Sequence, residues 1–305
     1  MMRYDARIAI MEALQAIGQW HGQRKHTMVL GVCQRSGDII EPMLSPQWYV
    51  NCTNMAERAL NAVKNGDLEI KPEMHKKTWY HWLGNIQDWC ISRQLWWGHR
   101  IPAYFARIKG ETPRCASNDQ AFNDRWVVAR TEEAAREQAA AQLNVPASEI
   151  ELEQDEDVLD TWFSSGLFPF SVFGWPNNTD DLKAFYPTQL LETGLDILFF
   201  WVARMVMMGL HLTDTLPFKT VYLHAMVRDK NGRKMSKSLG NTIDPLDVIR
   251  GVTLEELTEK TKTYPVPEKL LPQVLEGLAR EYPEGIPSSG ADGLRFTLAS
   301  LSGQG

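Results

Sequence analysis

Apolar residues return at helical intervals near the start of the chain, with Ile8, Met11, Leu14 and Ile17 on one stripe. That period predicts a helix over 5–17, with Asp5 as its cap and Gly18 as its stop. Met28–Val32 is a short apolar run that predicts a strand, and Gln34-Arg35-Ser36-Gly37-Asp38 reads as the turn after it. Asn54 is read as the cap of a second helix running to Val63, with Glu57 at its third position and Asn65-Gly66 at its end. From Thr78 to Tyr104 the chain is dense in Trp, His and Arg. The pattern then changes: 112–153 reads as a hairpin or loop and then an Ala/Glu-rich helix over Thr131–Leu143, a small insertion on a larger domain.

Asp157–Phe173 returns to apolar and aromatic residues. Gln189–Thr193 predicts a short strand, Gly194-Leu195-Asp196 the turn after it, and a helix from Ile197. Thr220–Val227 predicts another strand, with Val221, Leu223, Ala225 and Val227 on one face. Strand, glycine turn, helix, strand and basic loop is the order of half a parallel α/β sheet. Thr253-x-x-Glu256 is a capping box that opens a further helix. Prolines at 265, 267, 272, 283 and 287 mark 263–289 as a surface excursion or linker.

Composition narrows the function classes. The chain has 305 residues, room for about two domains. Apolar residues make up 44% and charged residues 23%, ordinary for a soluble globular protein, and most of the eleven tryptophans read as core. A net charge of −6 argues against a surface coated for nucleic acid, so no DNA partner is expected, while a local basic patch still suffices for an RNA. Cys33, Cys52, Cys90 and Cys115 form no C-x-x-C pair, so no metal site is assigned, and scattered cysteines suit a reducing, cytoplasmic location. Met1-Met2-Arg3-Tyr4-Asp5 opens no apolar signal segment. The most apolar stretch, Ile197–Leu210, is short and contains Arg204; it predicts a buried helix and no membrane partner.

One segment carries chemistry by itself. From Arg228 to Lys237, Arg228, Lys230, Arg233, Lys234 and Lys237 are opposed only by Asp229. The run follows a predicted strand, turns at Asn231-Gly232 and adds the hydroxyls of Ser236 and Ser238. Lysine ammoniums beside hydroxyls and free backbone N–H groups suit a polyphosphate. A solvated basic turn is the plainer alternative.

The order Lys234-Met235-Ser236-Lys237-Ser238-Leu239-Gly240-Asn241 is more specific than charge. It resembles the signature loop of the class I aminoacyl-tRNA synthetases. Three further blocks are similar to the valyl members of that family: Asp88–Pro102, Asp160–Leu167 with the Pro169-Phe170-Ser171 and Gly174-Trp175-Pro176 that follow, and Glu192–Met205. With the loop they span about half the chain. The resemblance implies ATP-dependent joining of L-valine to the valine tRNA through a valyl-adenylate, with Mg²⁺.

It also implies residue roles. Lys237 and Lys234 are the catalytic charges, and Met235, Ser236 and Ser238 complete the ATP loop. Gly194 and Asp196 meet the ATP ribose, and His224 reaches the nucleotide. Trp162, Ile197 and Trp201 line the valine pocket; independently, Ile197 and Trp201 are four apart on a predicted helix and share a face. The chain has Leu at 195 and Ala at 225, where the family usually has an aromatic and Gly.

The resemblance sets the expected organisation. The fold class is α/β: the C-terminal half of a Rossmann-type parallel sheet, with an editing-domain remnant and a small inserted subdomain. The expected divisions are 1–77, the tail of the editing domain; 78–107, a catalytic segment; 108–153, the insertion; 154–250, the second half of the catalytic domain; and 251–305, a Pro-rich insertion and the start of the stem-contact region. The second class signature, His-x-Gly-His, occurs nowhere in the chain; His99 follows Gly98 in a different block. The chain is therefore expected to be the middle of a longer enzyme and inactive alone, and no editing residue is assigned. A synthetase-derived module that binds protein or RNA without chemistry is the alternative.

Overall fold

The structure is a computed structural model that describes residues 3–33, 37–41, 45–111, 123–229 and 231–302. The chain divides into two compact units, Met1–Ser45 and Pro46–Gly305.

In the first unit α1 (Arg3–Ala16) ends as its glycine predicts. Gly18 is left-handed at φ 69; its N–H donates to the Gln15 carbonyl and that of Gln19 to Leu14, the paired bonds of a glycine-closed helix. Asp5 is not the cap: it lies inside the first turn, where its charge meets the positive helix end. Met28–Val32 is not a strand. Val32 makes a single bridge to Ile39 and Val29 is fully exposed, so the run lacks both a ladder partner and a core to face. Gln34, Arg35 and Ser36 of the expected turn lie outside the described residues.

The second unit is built on a parallel sheet ordered β2 (Glu69–Lys71), β10 (Phe218–His224), β9 (Thr188–Gly194), and also holds two short antiparallel pairs, β1 (Tyr49–Val50) with β3 (Trp89–Cys90) and β4 (Ser92–Arg93) with β8 (Val158–Leu159). Between β9 and β10 the chain crosses over through a continuous helical stretch: a tight turn at Leu195–Ile197, a wide π-helical turn at Leu198–Ala203, then a regular helix at Arg204–Thr213. A helical crossover is what parallel neighbours require. This stretch is longer than the predicted Ile197–Leu210. Leu195–Thr213 is long and apolar enough to cross a membrane, but 56% of its apolar window is buried in the protein's own core.

The predicted strand to Val227 stops at His224, because its partner β9 ends in register at Gly194 and leaves no ladder beyond. Within β10, Phe218, Val221 and Leu223 are buried. Against this sheet pack α2 (Thr53–Asn65), α3 (Lys76–Gly84) and α5 (Thr161–Ser171). Met55, Ala56, Ala59, Ala62 and Val63 are the buried stripe of α2, at helical spacing. Its start is Thr53, whose N–H is held by Asn51 Oδ1 at 3.0 Å, so Asn54 lies inside the helix; Gly66 closes it at φ 85.

A second, smaller core belongs to the antiparallel sheet β6 (Trp126–Val128), β5 (Ala103–Ile108), β7 (Ile150–Gln154) and the helix α4 (Glu132–Leu143). Tyr104, Ala106, Val127, Ala135, Ala139 and Ile150 fill it. Thr131 caps α4 by accepting from the Ala134 N–H, and Asn144 ends it in the left-handed conformation. Its central strand β5 begins before residue 108, where the insertion is expected to start. Residues 112–122 of the expected hairpin, including Cys115, lie outside the described residues.

The remaining helices follow the signature loop: α7 (Pro245–Arg250), α8 (Leu254–Lys262), α9 (Leu271–Glu281) and α10 (Gly290–Ser302), with α6 (Asp180–Phe185) earlier in the chain. The capping box at Thr253 and Glu256 is formed in both directions. Within 263–289, expected to be a surface excursion or linker, α9 occupies the centre. Pro272 sits in the first turn of α9, where a missing N–H costs no helical bond.

Candidate functional site

The carboxyl ends of parallel strands open a crevice where ligands collect, because the strand carbonyls and following turns converge there. In this chain β9 and β10 end side by side at Gly194 and His224. Gly194 has an ordinary φ of −77, so space and not backbone shape demands glycine. A Cβ there would lie 2.7 Å from Asp196 Oδ1 and 2.7 Å from Met226 Sδ. His224 Nε2 is 3.4 Å from Glu192 Oε1, and its Nδ1 is 3.2 Å from the Ala225 carbonyl. Glu192 was not singled out in the sequence, although strand alternation puts residues 192 and 194 on one face.

The basic loop folds back over this end. Arg228 and Lys234 bridge across a tight turn in which the Gly232 N–H donates to the Asp229 carbonyl. Lys234 then extends its ammonium to Asp196 Oδ2 at 2.5 Å. Lys237 opens a single helical turn, Lys237–Leu239, closed by Gly240 at φ 65. Its side chain is exposed and makes no ion pair among the described residues. Its charge contributes, after hydrogen bonds from Lys260 and the Leu246 N–H, to lowering the Asp244 pKa. Met235 is half-buried and the Ser236 N–H donates to Asn241 Oδ1 at 2.8 Å. Lys230 and the Ser238 side chain lie outside the described residues.

At the loop's base, Asp229 accepts from the Asn231 and Arg233 N–H groups, from Arg233 Nε and from Asn241 Nδ2. These bonds, that of Asn241 foremost, lower its pKa to about 2. Behind the loop, a cleft of about 530 Å³ runs between Met235, Leu239 and Asn241 on one side and Val274 and Leu278 of α9 on the other.

Trp162, Ile197 and Trp201 are all half-buried. Trp201 Nε1 donates to the Ser165 carbonyl of α5 at 3.2 Å, and Trp162 stacks on Phe200 at 6.2 Å and 27°. Both tryptophans therefore lie on the seam between α5 and the π-helical turn. Ile197 stands at the joint between the tight and wide turns, with φ −114 and ψ 14, so the regular helical face expected to hold it with Trp201 is not formed there. Gly166 lets α5 approach the regular helix Arg204–Thr213 that follows: a Cβ would lie 2.6 Å from Met208 Sδ.

Below the seam, Arg204 is buried with its guanidinium 3.8 Å from the Trp89 ring centroid and 5.1 Å from that of Phe199. Trp89 Nε1 and Arg93 Nη2 both donate to Asp160 Oδ2, at 2.9 and 3.0 Å. Burial lowers the Arg204 pKa and raises that of the neighbouring Cys52 thiol. This cluster joins the segments 89–93, 160 and 204 into one support for the seam. No group of three or more His, Cys, Asp or Glu side chains is placed to hold a metal among the described residues.

Residues 15–305 match the family model described as tRNA synthetases class I (I, L, M and V). The chain is 55% identical over 303 residues to a Rattus norvegicus protein named valine–tRNA ligase, covering 99% of this chain and 24% of the relative. It is 56% identical over 307 residues to a Caenorhabditis elegans protein of that name, covering 100% of this chain and 29% of the relative. A mitochondrial valine–tRNA ligase of Arabidopsis thaliana is 53% identical over 307 residues, covering 100% and 27%. The chain thus spans about a quarter of the length of these curated relatives.

Proposed function

We propose, on the premise that this chain belongs to the class I tRNA synthetases (I, L, M and V), that it forms the ATP-side part of an enzyme joining L-valine to its tRNA. The valine carboxylate oxygen attacks the α-phosphorus of ATP, the bond to the β-phosphate breaks, and valyl-adenylate and pyrophosphate form. The terminal ribose hydroxyl of the tRNA then attacks the valyl carbonyl and AMP leaves. Mg²⁺ would come with the triphosphate, since that ion keeps several waters and binds through substrate phosphates rather than in an all-protein cage, and would there neutralise phosphate charge.

Within this reading Asp196 accepts from a ribose hydroxyl and Gly194 lets the nucleotide approach the backbone. His224 borders the same crevice. Lys237 and Lys234 stabilise the charge that grows on the departing pyrophosphate by electrostatic attraction. Trp162, Ile197 and Trp201 bound the slot for the valine side chain. A slot that admits valine rejects the near-isostere threonine only weakly. A cytoplasmic location belongs to the same proposal and is supported by the free thiols of Cys52 and Cys90, which suit a reducing compartment.

The observation that carries the reading is the reach of Lys234 from the loop to Asp196 at the carboxyl end of the sheet. It joins a phosphate-type loop to a ribose-type turn. The test is a chimera in which this chain replaces the matching segment of the Caenorhabditis elegans relative. Valine-dependent ATP–pyrophosphate exchange is expected, falling by about 10²-fold or more in Lys237→Ala. A folded chimera without valine-dependent exchange, or a Lys237→Ala variant with full exchange, overturns it.

A further inference from the structure

The two lysines of the signature loop are flexible side chains on an exposed segment, so something must fix where their backbone starts. Asp229 stands at the entry of the loop and Asn241 at its exit, and their side chains meet at 3.0 Å. Each spends its remaining hydrogen-bonding capacity on the loop. Asp229 Oδ1 takes the N–H groups of Asn231 and Arg233, both at 2.9 Å, and Oδ2 takes Arg233 Nε at 2.9 Å. Asn241 Oδ1 takes the Ser236 N–H at 2.8 Å, and Nδ2 also reaches the Lys234 carbonyl at 3.3 Å. Asn241 therefore grips the backbone on both sides of Met235, immediately after one lysine and immediately before the other.

We propose that Asp229 and Asn241 form a clasp that positions Lys234 and Lys237 for a polyphosphate; this rests on the reading of the loop as an ATP site. A plain surface ion pair between Asp229 and Arg233 does not account for the arrangement. The Asp229 side chain is only 9% exposed while that of Arg233 is 59% exposed, so the carboxylate faces inward toward Asn241. A carboxylate with each oxygen engaged twice has little capacity left for a ligand, which makes Asp229 a structural acceptor and not a phosphate-side group. Gly240 completes the device. Its left-handed φ of 65 turns the chain back toward Asp229, and a Cβ there would lie 2.5 Å from Val274 Cγ1. The clasp is thus closed on one side by the loop and backed on the other by α9.

The experiment compares ATP with adenosine, which shares the ribose and base but offers nothing to the lysines. Affinities are measured on the 305-residue chain by ligand-observed NMR titration, with thermal melting as a control. The unmodified chain is expected to bind ATP more tightly than adenosine. Asn241→Ala is expected to lose about tenfold or more in ATP affinity, the scale of one charged hydrogen bond, with adenosine affinity and melting temperature nearly unchanged. Asp229→Asn behaves like Asn241→Ala. Asn241→Ala with the full ATP preference overturns the clasp, as does equal loss of both ligands with a lowered melting temperature. An unmodified chain that binds ATP no better than adenosine overturns the ATP reading of the loop itself.

Discussion

Lys234 Nζ and Asp196 Oδ2 lie 2.5 Å apart, across 38 residues of sequence. On the proposed reading, the cation assigned to phosphate thus pairs with the carboxylate assigned to ribose. The two side chains are 58% and 35% exposed, so the pair contributes only about 0.2–1 kcal/mol. On the same reading, a contact that weak would yield to a ribose and leave the ammonium available to the phosphates.

Lys234→Ala should therefore act oppositely on two ligands. Adenosine affinity is expected to rise by up to about fivefold, because Asp196 no longer exchanges one partner for another. ATP affinity is expected to fall. The gain for adenosine should shrink as salt is raised, since an exposed pair is screened. Titrations at low and high ionic strength check this, and an unchanged adenosine affinity counts against the competition.

Gly194→Ala should damage binding more than folding. The backbone accepts alanine, but its Cβ would press on Asp196 Oδ1 and Met226 Sδ, each at 2.7 Å. Both neighbours are side chains that can move, so a stability loss of about 1 kcal/mol is expected, at the low end for overpacking. Moving Asp196 displaces the proposed ribose acceptor, and nucleotide affinity should fall about tenfold or more. Urea melts beside nucleotide titrations separate the two effects.

The clasp should survive mild acid. Hydrogen bonding in the folded chain lowers the Asp229 pKa from 3.8 to about 2. A depressed folded pKa means stability present above 3.8 and lost as pH falls through about 2. The ¹³C shift of the Asp229 carboxyl should thus stay that of a carboxylate at pH 3, where an unbonded aspartate is mostly protonated. A midpoint near 3.8 would show that the four bonds do not hold in solution.

Arg204 should tolerate methionine better than alanine. Its guanidinium lies over Trp89, and its buried Nε has no hydrogen-bond partner. Methionine keeps the stem volume and removes an imperfectly satisfied buried charge, whereas alanine leaves a cavity. A difference of about 1–2 kcal/mol in favour of Arg204→Met is expected from urea denaturation. Equal losses would mean that the cation over the ring carries the stability.

Much of the site lay open in the sequence because its residues are close along the chain. The loop 234–238 is contiguous, Gly194 and Asp196 share one turn, and Thr131 and Thr253 cap their helices through bonds three residues away. What stayed hidden is set by distant partners. β2 is three residues long, too short for any period, and exists through pairing with β10. Met28–Val32 has strand-like residues but no ladder. Proline density concealed α9, since only position within the turn separates a helix-starting proline from a breaking one. Asp229 and Asn241 looked like a counter-charge and the tail of a motif, and the bond joining them spans twelve positions.

Arg204 also bears on how the chain is made. Before folding, the nineteen residues Leu195–Thr213 would present an emerging stretch apolar enough for a lipid bilayer. An arginine near the middle of such a segment raises its insertion cost by about 2.5–3.5 kcal/mol. In the folded chain the same charge lies against the rings of Trp89 and Phe199. One side chain thereby makes the stretch costly in lipid and, once folded, helps to fill the core.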